Sequence, residues 1–312
     1  MATSDKVFEN QMNRINDEPS PNVLNKVKGL MDEWMPNTGE IVRSAIDTMI
    51  AEDQDYPIIF FGIPGIGKSN LAMILNTFKA GYLKDEYGLK NRFSLKNTAW
   101  LGEDYVTILE RPASELIKVK NIIDVNDLKE RWKGTIFWMD EAQDLNALEF
   151  TNTFNIAMNK IIATIRALQL IYSICIDFPT KLLPDIRQGR VKTAYYVIIH
   201  GSKFELDGKM RNKRACFMYG RKEWVNVATA GNKDVRVGIL LPNLFIKRFP
   251  TSRAEFVPPF PKSKFLDKYN ILKFRNMGMN TMKEIDKIVK KRAEREKAHR
   301  KNIFADEKLE PV

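Results

Sequence analysis

Four short apolar runs punctuate the chain, and most are separated by stretches with helical spacing. Residues 57–61 (PIIFF) are apolar at every position, which predicts a strand buried on both faces of a parallel sheet. Similar runs at 135–139 (TIFWM), 170–176 (LIYSICI) and 194–199 (AYYVII) predict three more. Residues 23–35 and 39–51 carry apolar positions three and four apart, and each predicts an amphipathic helix. Helices are also predicted from Lys68 to about Lys79, near 124–132 and over 153–168, with short strands near 98–101 and 104–109. Strands alternating with helices indicate an α/β fold around a largely parallel sheet.

Beyond residue 200 the pattern changes. Segments 214–219, 223–229 and 235–241 are short and strand-like with turn residues between them, predicting an antiparallel extension. Residues 249–263 are proline-rich and predict an extended wrap. A charged helix with excess basic residues is predicted from Thr281 to Lys301. The division drawn from these shifts is an arm and helices over 1–52, a core over 53–202, a β extension over 203–248, a proline-rich wrap over 249–280 and a basic tail over 281–312.

Composition narrows the classes. The 312 residues are 44% hydrophobic and 29% charged, as in a soluble globular protein. No apolar run reaches the roughly 18 residues a membrane span needs, and residues 1–22 are polar, with no apolar core of a secretory signal. The expected location is cytoplasmic: the host cytoplasm, or the virion if the chain is viral. Cys175 and Cys216 read as buried reduced thiols; with His200 and His299 they make no zinc spacing. The net charge of +11 favours a polyanionic partner.

The chemistry concentrates after the first predicted strand. Residues 62–69 (GIPGIGKS) match G-x-x-x-x-G-K-[ST], with an apolar strand before and a helix after. Gly62, Ile63, Pro64, Gly65, Ile66 and Gly67 form a loop whose backbone N–H groups can face phosphate oxygens; Asn70 extends it into the helix. Lys68 is the candidate cation for the β- and γ-phosphates, and Ser69 the candidate Mg²⁺ ligand. Asp140 and Glu141 directly follow the run 135–139, the arrangement of a Walker B strand. Asp140 would hold the Mg²⁺ shell and Glu141 would polarise the attacking water, so the expected cofactors are ATP and Mg²⁺ and the expected reaction is hydrolysis. An acidic helix cap is the structural alternative for this pair. The fold expected from these features is a P-loop NTPase three-layer sandwich of the additional-strand type, with an antiparallel β extension and a C-terminal basic helix.

Asn159, Lys160 and Arg166, followed by the strand ending at Asp177, then Pro179 and Ile186–Arg187, resemble the second half of the core of the FtsK–HerA superfamily of DNA pumps. That superfamily includes viral genome-packaging and zonula-occludens-toxin-like ATPases. The resemblance covers about residues 55–200. It implies a ring-forming homo-oligomer that moves double-stranded DNA, with an arginine supplied in trans; Arg166 and then Arg187 are the candidates. It also implies a polar sensor at Asp177, where the family usually has Gln. An acidic side chain there requires a cation nearby. A capsid or membrane-associated protein is a further possible partner. The string from Asp140 to Gln143 invites a helicase reading, but too little chain follows for a second helicase domain. A loader or regulatory switch of the AAA+ kind, or a phage assembly ATPase, are the alternatives.

Basic positions cluster in the β extension. Lys203, Lys209, Arg211, Lys213 and Arg214 surround Gly208, and Arg221, Lys222 and Trp224 follow Gly220. Such loops suit a phosphate backbone, with binding that falls as salt rises. Trp224 could stack on a base, although a strand tryptophan more often belongs to the core.

Overall fold

The computed structural model describes residues 17–100, 102–140, 168–177, 195–206, 209–220 and 250–306. Two amphipathic helices come first, α1 (Pro21–Trp34) and α2 (Pro36–Ala51), each with proline in its first turn, where no N–H is needed. Strand β1 (Tyr56–Phe61) leads through the glycine-rich loop into α3 (Lys68–Tyr87), which a left-handed Gly88 closes. Then follow β2 (Phe93–Ala99), α4 (Gly102–Leu116), α5 (Ile122–Trp132), β3 (Ile136–Met139), β4 (Ile171–Ile176), β5 (Tyr195–Leu206), β6 (Lys209–Tyr219), β7 (Ser252–Ala254) and α6 (Lys264–Asp306).

Among the described residues the sheet has seven strands, in the order β2-β3-β4-β1-β5-β6-β7. The first five are parallel; β5–β6 and β6–β7 are antiparallel. Strand β4 therefore lies between β1, which leads into the loop, and β3, which leads into Asp140. This is the additional-strand arrangement of a P-loop NTPase sandwich.

Alternation along the strands divides the core between two faces. Ile59, Phe61, Phe137, Tyr172 and Tyr196 share one cluster with Tyr105 and Leu109 of α4 and Leu128 of α5. The other face receives α3, whose Asn76 accepts a hydrogen bond from Ser173 of β4 at 2.5 Å. Helix α3 is buried along most of its length because α1 and α2 pack over it.

Two sequence expectations change. Residues 104–109 are helical, not a strand: Tyr105, Ile108 and Leu109 fall at helical spacing and are the buried positions, although Val106 and Thr107 between them are β-branched. The strand expected at 98–101 begins earlier, at Phe93. The hairpin β5–β6 and the helix α6 also run longer than predicted, while 153–167, 223–229 and 235–241 lie outside the described residues.

The proline-rich segment is anchored at three points. Ser252 of β7 shares a buried 2.9 Å hydrogen bond with Thr38 of α2. Val257 N–H donates to the carbonyl of Arg214, and Phe260 N–H to the carboxamide oxygen of Asn70.

The chain forms two compact units, Met1–Leu266 and Asp267–Val312. Within the second, helix α6 leaves Phe274, Ile288 and Val289 exposed and carries an i,i+4 ion pair between Arg292 and Glu296. No helix of the described residues is long and apolar enough to cross a membrane.

Candidate nucleotide site

Parallel strands β1, β3 and β4 end on the same edge of the sheet, where α/β folds gather ligand-binding loops. Register places Phe61 opposite Ile176 and Met139 opposite Ile174. Gly62, Asp140 and Asp177, each directly following its strand, therefore share that edge. Two interstrand spacings separate β1 from β3, roughly 10 Å.

The loop is shaped by backbone that side chains would obstruct. Gly67 caps α3 in a left-handed conformation, φ 107°. The positive φ favours glycine, and a Cβ there would stand 2.8 Å from a guanidinium nitrogen of Arg214, which would have to shift to admit a side chain. At Gly62, a Cβ would meet Ile66 Cγ2 at 2.6 Å. Ile66 also lies directly over Gly201 of β5, where a Cβ would collide with its Cδ1. Ile63, Pro64 and Gly65 are exposed.

Lys68, the first residue of α3, turns its ammonium back into the loop. It donates to the carbonyls of Gly62 at 2.6 Å and Ile63 at 3.3 Å, and to Asp177 Oδ1 at 2.7 Å. Both side chains of that ion pair are nearly enclosed, Lys68 11% and Asp177 9% exposed. The cation expected beside Asp177 is thus Lys68 itself. Ser69 follows on the first turn of α3 and is half-buried. Asp140 is 1% exposed, and its N–H donates to Ala99 of β2 at 2.9 Å. The side chain of Asn70 holds Pro258 O and Phe260 N.

Glu141, Arg166 and Arg187 lie outside the described residues, as do Asn159, Lys160, Pro179, Ile186, Arg221, Lys222 and Trp224. Lys209, Arg211 and Lys213 occupy alternate positions of β6, with Phe204 paired to Arg211 and Ser202 to Lys213. Sequence reasoning grouped Arg214 with these basic residues and did not connect it with the loop. No sequence motif links it to Gly67; the contact depends on β5 pairing with β1.

The donor set fits a magnesium polyphosphate: a glycine backbone cradle at a helix N-terminus, a lysine, a hydroxyl and an enclosed carboxylate. Among the described residues no cluster of His, Cys, Asp and Glu suits a metal held by protein alone. Cys175 and Cys216 are buried free thiols, and burial pushes the Cys216 thiol up to about 12, leaving it protonated.

No protein-family model matches the chain, and no curated protein matches it. Among solved structures, replication initiator DnaA bound to AMPPCP and single-stranded DNA aligns over 57% of this chain and 49% of its own, with 19% identity and a TM-score of 0.29. The chain thus spans about half the length of that protein. A KaiC-like protein of Pyrococcus horikoshii aligns over 53% and 79%, with 11% identity and a TM-score of 0.28. The flagellar accessory protein FlaH of Methanocaldococcus jannaschii aligns over 54% and 79%, with 14% identity and a TM-score of 0.24. At these scores the likenesses carry no functional argument. The fold assignment rests on the strand order and the loop.

Proposed function

We propose that the protein is an ATP-hydrolysing DNA translocase of the FtsK–HerA type, acting as a ring of identical subunits in genome packaging or DNA transfer. The observation that carries the reading is the insertion of β4 between β1 and β3, which brings the loop, Asp140 and Asp177 to one sheet edge. The net charge of +11 and the basic positions along β5 and β6 support a polyanionic partner.

Magnesium nucleotide, when bound, supplies the phosphoanhydride whose cleavage drives movement. The loop backbone from Gly62 to Gly67 would hold its phosphates, Lys68 would exchange Asp177 for phosphate oxygen, and Ser69 with Asp140 would hold the Mg²⁺. Glu141 would polarise the attacking water as general base. Asp177, freed from Lys68, would orient that water. An arginine of a neighbouring subunit, Arg166 or then Arg187, would neutralise charge developing on the transferred group.

The test is the ATPase rate with and without double-stranded DNA, beside a sizing experiment in nucleotide. The reading expects a DNA-stimulated rate and a nucleotide-dependent oligomer. Slow turnover, indifferent to DNA, would instead indicate a regulatory switch. Arg166→Ala should lose hydrolysis and keep nucleotide binding; full hydrolysis removes Arg166 from the trans role.

A further inference from the structure

Arg214 projects from β6 onto the phosphate loop. A Cβ on Gly67 would meet its Nη1 at 2.8 Å and its Cδ and Cζ at 3.2 Å, so the guanidinium and its stem lie along the loop at the turn entering α3. The strand position holding it is fixed from two sides. Arg214 pairs with Gly201 of β5, and its carbonyl accepts Val257 N–H at 2.8 Å. Gly201 in turn receives Ile66, the loop residue directly before Gly67. One cross-strand pair therefore meets two consecutive loop residues, the glycine making room for Ile66 and the arginine lying against Gly67.

The placement is specific in its chemistry. A guanidinium is always charged and offers up to five donors in a plane, suited to bidentate contact with phosphate oxygens. Lys68, the other cation of the loop, is held by Asp177 and two loop carbonyls. A cation beside Gly67 that comes from a sheet strand is pre-positioned, so little conformational freedom is lost when an anion arrives.

We propose that Arg214 is a second phosphate-binding cation of the nucleotide site, acting within the same subunit and reaching the phosphates from the rim opposite Asp177. The proposal rests on the nucleotide-site reading given above. It adds a residue from outside the loop and the strand tips. The same strand carries Lys209, Arg211 and Lys213, so phosphate occupancy bears directly on the strand richest in basic positions.

The test is calorimetric titration of the full chain with Mg·ADP and Mg·ATPγS, comparing wild type with Arg214→Met, which keeps the packing stem, and Arg214→Lys, which keeps the charge. Thermal melting checks that each is folded. The expected result is about ten-fold weaker binding of both nucleotides by Arg214→Met, with partial recovery in Arg214→Lys. Unchanged or tighter binding by folded Arg214→Met, when wild type binds, overturns the proposal and leaves the nucleotide site standing. Should Arg214→Met not fold, Arg214→Lys decides: with one point charge in place of the planar fork it is expected to bind at least three-fold more weakly, and wild-type affinity overturns the proposal. A wild type that binds neither nucleotide overturns both readings.

Discussion

Lys68 and Asp177 form an ion pair at 2.7 Å across the mouth of the loop, although more than a hundred residues separate them in the chain. Parallel pairing of β1 with β4 places Gly62 and Asp177 beside one another, and the lysine folds back to meet the acid. The carboxylate is paired with the cation that the proposed phosphate site would use. In the proposed reading, nucleotide competes with Asp177 for Lys68.

This competition predicts the effect of Asp177→Asn. The ammonium keeps the Gly62 and Ile63 carbonyls but loses its charged partner, and a negative charge leaves the site. Binding of Mg·ATPγS should tighten about ten-fold, or ~1.4 kcal/mol, in a titration at low salt. Weaker binding would mean that the carboxylate serves the bound state, not the resting one.

Lys68→Ala and Glu141→Gln should separate binding from chemistry. The first removes the cation that the loop encloses and should leave no measurable hydrolysis. The second keeps the shape of the side chain and removes the base, so turnover should fall by about 10²–10⁴-fold with nucleotide affinity preserved. Single-turnover hydrolysis beside equilibrium binding distinguishes them. Normal turnover by Glu141→Gln would assign the base elsewhere.

The local parts of this site are legible in sequence because they are contiguous. A strand, a glycine loop and a helix start within consecutive residues 57–69 need no tertiary information, and Asp140 is marked by the apolar run before it. Pairings between distant segments are not written locally. Sequence named Asp177 as a sensor needing a cation, yet not that Lys68 supplies it, since only the β1–β4 register brings them together. Arg214 is more remote still: its contact requires β1 against β5 and β5 against β6. Residues 104–109 were misleading for another reason, because β-branched content and helical spacing disagreed there and burial followed the spacing.

Gly201 offers a packing test of the dock between loop and hairpin. Its missing side chain is the space that Ile66 occupies. Gly201→Val should overpack this contact and cost about 1–3 kcal/mol in denaturant unfolding. Ile66→Ala in the same chain should return at least half of that loss, since it empties the volume that valine needs. A double-mutant cycle showing simple additivity would mean that the two positions do not press on one another.

Lys79 sets a pH-dependent limit on stability. It is fully buried on α3, where it donates to Asn76 at 3.3 Å and Ser173 at 3.4 Å, and it stands 5.0 Å from the ring centroid of Tyr56. These neutral partners do not replace the water that a charged ammonium loses, so burial holds its pKa well below the ordinary lysine value. Burial also raises the facing Tyr56 phenol, which stays neutral. Between the folded and unfolded pKa values of Lys79, the unfolded chain binds a proton that the native chain lacks. Stability contributed at this position therefore rises with pH through that window and levels off above the unfolded value, near 10.5. Lys79→Met keeps an unbranched stem without the amine, and the Ser173–Asn76 hydrogen bond remains. The variant should be more stable than wild type at pH 7, and its advantage should shrink as pH approaches 10. Urea unfolding of both chains across that range measures the difference directly. An advantage independent of pH would mean that Lys79 has the same pKa folded and unfolded, against the effect of its burial.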